Sequence, residues 1–80
     1  MKKYKGFIGV NAATGETLNV FNSLKDRPEV LSIYLVAGVY DLMMLIETDT
    51  SEAFSDFVIQ KIQTTKGVTH TMTFMALRGE

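Results

Sequence analysis

The stretch RPEVLSIYLVAGVYDLMMLIET, residues 27–48, decides how this chain folds. Two runs rich in apolar and β-branched residues flank the tip AGVYDL (37–42), which reads as a hairpin joining strands at residues 30–36 and 41–47. Gly38 supplies the backbone freedom that a tight tip needs. Asp41 is ordinary turn chemistry. Val39 and Tyr40 fit less well, since a solvated tip seldom carries two large apolar side chains in a row.

Upstream, YKGFIGVN predicts a strand over residues 4–11, and the polar NAATGE ends it. The period then changes. Leu18, Phe21 and Leu24 recur at three-residue spacing, the mark of one helix side. Thr14 is the expected N-cap, Glu16 falls in the first turn, and Pro28 ends the segment because the residue before a proline avoids helical geometry. Downstream, residues 49–66 read as a second helix. Asp49 and Glu52 have capping-box spacing, and Phe54, Phe57, Val58 and Ile62 form its buried stripe. Gly67 is the stop, and residues 68–77 form the closing strand.

The order β-α-β-β-α-β, with Val30 and Val68 opening equivalent strands in its two halves, is the split βαβ or ferredoxin-like sandwich, an α+β fold. Its sheet has one face for the helices, and water normally meets the other, so its strands should alternate apolar and polar. These do not. Leu42, Met44 and Ile46 point one way while Met43 and Leu45 point the other; Leu31, Ile33, Leu35 and Ala37 oppose Tyr34 and Val36. Two helical stripes cover one face only. The expectation is a homodimer with sheets packed face to face and helices outside, in the manner of a dimeric α+β barrel.

Size and composition agree. With 80 residues the chain makes one domain, which buries only about 60–65% of its unfolded surface, and such domains lean on disulfides, metals or partners. There is no cysteine and one histidine, which excludes disulfides and thiolate metal sites and disfavours a metal cluster. Oligomerisation remains. The net charge of −1 argues against a dedicated nucleic-acid binder; Lys2, Lys3 and Lys5 around Tyr4 read as a solvated edge. FIGV is too short for a signal-peptide core, and no run approaches the about 20 apolar residues of a membrane span, so a cytoplasmic protein is expected.

A dimer gives the tip a purpose. Val39 and Tyr40 can bury against a neighbouring subunit, and Asp41 then stands beside backbone N–H groups and an aromatic wall. Those groups suit a free amino acid: donors for its carboxylate, an acceptor for its ammonium, apolar surface for its side chain. Satisfying local backbone donors is the alternative role of Asp41.

RPEVLSIYLVAGVYDLMMLIET closely resembles the ligand-binding module of the Lrp/AsnC (feast/famine) regulators, with their P-x-V turn, strand and G-x-Y-D tip. TKGVTHTMTFMAL resembles their closing strand, and the resemblance runs from Tyr4 to Leu77. It implies dimers that assemble into rings, with small effectors, usually amino acids, bound between dimers near the tip and the closing strand. Carried over, it assigns Gly38, Tyr40 and Asp41 to the ligand, together with the closing-strand hydroxyls of Thr71 and Thr73. Val39, Tyr40, Met43 and Leu45 fall to oligomer interfaces. Full-length regulators carry an N-terminal helix-turn-helix, whereas this chain opens on the first sandwich strand. The expectation is therefore a stand-alone sensor, or a partner in the rings of full-length regulators, without direct DNA binding, membrane contact, metal or cofactor.

Other readings use the same residues. The fold also hosts small cofactor-independent monooxygenases and isomerases, in which His70 or Asp41 would act as a base. His70 shares a strand face with Val68, Met72 and Phe74, which suits packing equally. Met43, Met44, Met72 and Met75 read as adaptable filler, and Thr69, Thr71 and Thr73 suit a strand without any ligand. A pure assembly module, whose tip only joins dimers, is the remaining alternative.

Overall fold

The computed structural model describes residues 3–79. Lys2 of the basic edge lies outside them. The elements are β1 (Tyr4–Ala12), α1 (Thr17–Leu24), β2 (Val30–Leu35), β3 (Leu42–Thr48), α2 (Ser51–Phe57) with a π-helical continuation (Val58–Ile62), and β4 (Val68–Met75). The strands form one antiparallel sheet in the order β2-β3-β1-β4. This is the ferredoxin-like topology expected.

Strand alternation decides what is buried. Ile8 and Val10 of β1 lie beside Met44 and Leu42 of β3 on the helix side, with Ile46 completing the row. Val20 and Leu24 of α1, and Phe54, Phe57, Val58 and Ile62 along the second helix, close over them to make the core. Each such aliphatic or aromatic side chain contributes about 1.5–3 kcal/mol by leaving water.

The helices correct the sequence reading in detail. Leu18 is 61% exposed, and Val20 takes its expected place beside Leu24. The reason is angular: at 3.6 residues per turn, Val20, Phe21 and Leu24 cluster, whereas Leu18 lies well round the axis from Val20 and Leu24. The helix starts after Glu16, not Thr14, because the Ala13 carbonyl first accepts the Glu16 N–H at 2.9 Å to make a turn. At α2 the cap is Thr50, whose hydroxyl accepts the Ala53 N–H at 3.0 Å. The Asp49 and Glu52 pattern is thus one residue out of register. Asp49 pairs instead with Lys3, and this contact raises the exposed Lys3 amine above its ordinary range.

The buried stripe of the second helix falls where expected, but its backbone widens. The Gln63 N–H bonds to the Val58 carbonyl five residues back, at 2.9 Å. Five residues would set Phe57 and Ile62 well apart around an ordinary helix; the wider turn brings both to the sheet.

The other sheet face is apolar too. Phe7 stands between Leu45 and Phe74, and Gly9 between Met43 and Met72, all on the side away from the helices. Tyr34 joins them opposite Met43 and is 61% exposed. The dry double face read from β3 is present. In β2 the assignment changes: an irregularity between Val30 and Ser32 shifts the register, so Val30 and Ile33 pack on the core and Leu31 is exposed.

Candidate functional site

The tip lies between β2 and β3; one hydrogen bond closes it and three fasten it to β1. Val36 N–H donates to the Asp41 carbonyl at 3.0 Å and closes the loop. Asp41 N–H donates to the Val10 carbonyl at 2.9 Å. The Asp41 carboxylate accepts the Ala12 N–H through Oδ2 at 2.8 Å, and Asn11 Nδ2 donates to the Val39 carbonyl at 2.8 Å. Asp41 therefore occupies the end of β1, where the register to β4 shifts between Asn11 and Ala12 and leaves a backbone donor to be satisfied.

Tyr40 lies flat on β1. A Cβ placed on Gly9 would stand 2.8 Å from its ring, so only a residue without a side chain permits this approach. Phe74 of β4 meets the same ring edge-on, with centroids 6.3 Å apart and planes at 79°. Tyr40 is thus half-buried within its own chain, whereas Val39 is 81% exposed. Gly38 has φ +130°, the left-handed side of the map that its position was expected to require.

These contacts bring Gly38, Tyr40 and Asp41 together with Asn11 and Ala12. They do not bring in Thr71 and Thr73. Both lie on the helix side of β4, opposite Val10 and Ile8. Thr71 accepts from Gln63 Nε2 at 3.3 Å, and Thr73 lines a groove of about 480 Å³ with Tyr4, Phe54 and Val58. Met43 and Leu45 lie on the outer face beside Gly9 and Phe7. His70 lies opposite Asn11 on that same face.

Among the described residues, no protein acceptor takes the amide N–H of Ala37, Gly38, Val39 or Tyr40. A carboxylate, free amides and exposed apolar surface stand together on a loop that β1 holds in place. No group of three or more metal-ligating side chains occurs among the described residues, and no helix is long and apolar enough to cross a membrane.

The model of the Lrp/AsnC ligand binding domain matches residues 5–79. The chain belongs to this family. Among curated proteins, this Lrp/AsnC domain is 32% identical over 72 residues to the HTH-type transcriptional regulator FL11 of Pyrococcus horikoshii, covering 90% of the chain and 47% of FL11. It spans about half the length of the curated relatives it matches. The crystal structure of FFRP-DM1 superposes with a TM-score of 0.89 at 34% identity, over 92% of this chain and 99% of that one. The complex of transcriptional regulator NMB0573 from Neisseria meningitidis with L-Met gives a TM-score of 0.85 at 26% identity, over 94% of this chain and 50% of that one.

Gly9 and Asn11 escaped the sequence reading. A glycine inside a strand signals close backbone approach, and that signal was there to be used. Nothing in the sequence marks Asn11, because its partner Val39 lies 28 residues away.

Proposed function

We propose that this Lrp/AsnC domain is an effector-binding module, and that its effector is an amino acid held at the hairpin tip. The carrying observation is the tip itself: free amides at residues 37–40 beside the Asp41 carboxylate, on a loop anchored to β1. In this reading Asp41 meets the ammonium, the amides around Gly38 and Tyr40 meet the α-carboxylate, and Val39 borders the side chain. The complex of NMB0573 with L-Met supports the ligand class by likeness.

The tip is open in one chain, so the proposed pocket is completed by a second subunit. The apolar outer face of Phe7, Met43, Leu45, Met72 and Phe74 supports a homodimer with sheets face to face, and exposed Val39 supports further assembly of dimers. Thr71 and Thr73 face away from their own tip and contribute only where another subunit's closing strand meets it. The assembly acts as a cytoplasmic sensor by itself or by joining full-length regulators. One observation favours a pure assembly module instead: one Asp41 oxygen is already committed to Ala12.

A thermal-shift screen against the twenty amino acids, one at a time, separates the two. A ligand at about 100 times its dissociation constant adds about 2.7 kcal/mol, which in a domain of this size raises the midpoint by about 10 °C or more. A selective rise supports the sensor. No rise with the oligomer intact refutes it in favour of the assembly module.

A further inference from the structure

The tip is held from one side only. Asn11 Nδ2 reaches the Val39 carbonyl and the Asp41 N–H reaches the Val10 carbonyl, so both of these main-chain groups of the tip point at β1. The described peptide bonds are all trans, and in a planar trans unit the C=O and N–H point in opposite directions. The Tyr40 N–H shares a unit with the Val39 carbonyl and therefore points away from β1. By the same geometry the Tyr40 carbonyl, which shares a unit with the Asp41 N–H, also points away. Tyr40 turns one donor and one acceptor outward, and neither has a protein partner among the described residues.

We infer that Asn11 is a positioning residue for the proposed effector site: it fixes the Val39–Tyr40 peptide so that the Tyr40 N–H is presented to a ligand carboxylate. The inference rests on the effector reading of the tip. Its physical content is preorganisation. Gly38, at φ +130°, gives the loop a residue about which peptide planes turn easily, and among the described residues only Asn11 holds the Val39 carbonyl. A donor already aimed loses little on binding, and a hydrogen bond from Asn11 to the carbonyl of that unit polarises its N–H. An N–H to carboxylate contact is the stronger, charge-assisted kind. The outward Tyr40 carbonyl beside it suits the ammonium of the same molecule, so the matching ligand carries a carboxylate and an ammonium on one carbon, as an α-amino acid does.

The test uses the ¹⁵N-labelled full chain, with sodium acetate as the carboxylate probe and sodium chloride at equal ionic strength as the control. The Tyr40 amide resonance is expected to shift saturably with acetate and not with chloride. Asn11→Leu, similar in size without a donor, should weaken the apparent acetate affinity at least threefold, and Asn11→Gln should recover part of it. If Asn11→Leu does not fold, Asn11→Ser, too short to reach Val39, takes its place. A Tyr40 amide indifferent to acetate in the wild type overturns the donor, and equal affinities in wild type and variant overturn the role of Asn11. Failure of the effector reading is separately visible: acetate then moves the Tyr40 amide while no amino acid shifts the melting temperature.

Discussion

Replacing Gly9 by alanine tests the packing that holds the tip. The new Cβ would stand 2.8–2.9 Å from three atoms of the Tyr40 ring. Carbon atoms pack at about 3.5–4.0 Å, so the ring must recede by roughly 1 Å. Overpacking of this kind costs about 1–3 kcal/mol. Against it stands the lower chain entropy of alanine in a strand, worth roughly 0.5–1 kcal/mol. The balance is a loss of up to about 2.5 kcal/mol and centres on about 1 kcal/mol, or about 4–8 °C in melting temperature for a domain of this size. Urea denaturation at fixed protein concentration measures it, with near-ultraviolet dichroism reporting on the tyrosine. The decisive comparison is the same substitution in a Tyr40→Ala background. Without the ring, Gly9→Ala should become stabilising by about 0.5–1 kcal/mol, a reversal of sign that only direct contact produces. Equal effects in both backgrounds would refute the packing.

Asp41 separates by charge and by shape. Asp41→Ala leaves the Ala12 N–H without its acceptor and should cost about 1–3 kcal/mol, whereas Asp41→Asn keeps an oxygen there and should cost less; chemical denaturation of both decides. In the effector reading both variants lose the ligand-induced thermal shift, since neither offers a negative charge to an ammonium, and a normal shift in Asp41→Asn would remove that role. Leu45→Glu places a charge on the apolar outer face beside Phe7 and should convert the proposed dimer to a folded monomer in light scattering. An unchanged mass would show that this face is not the interface.

Element order and the two-sided character of β3 were legible because they follow from local periodicity. Met43 and Leu45 alternate with Leu42, Met44 and Ile46, and no fold turns all five to one side of a strand. The stripe of Phe54, Phe57, Val58 and Ile62 was legible for the same reason. Details failed at the helix starts. The three-residue spacing of Leu18, Phe21 and Leu24 drifts off one side of a helix of 3.6 residues per turn, and Val20 met the sheet in place of Leu18. The spacing to Glu52 pointed to Asp49 as the cap, and the Ala53 N–H went to Thr50, one residue on.

The site divides along the same line. Val39 and Tyr40 stood out because two large apolar side chains in a row conflict with an ordinary tip, and the family resemblance then singled out Gly38, Tyr40 and Asp41. The placement of Thr71 and Thr73 did not follow from their spacing, which sets them on one face of β4 without saying which. The pairing of Val10 with Thr71 and of Ile8 with Thr73 put that face toward the helices. What the sequence determined by itself was the set of elements, the apolar content of both sheet faces and the unusual tip, since each is written in neighbours a few residues apart. What only the tertiary structure decided was the fastening of the tip to β1, by Gly9 beneath Tyr40, Asn11 to Val39 and Ala12 to Asp41. Those partners lie about thirty residues apart in the chain, and hydrogen bonding across a sheet leaves no periodic trace in either segment.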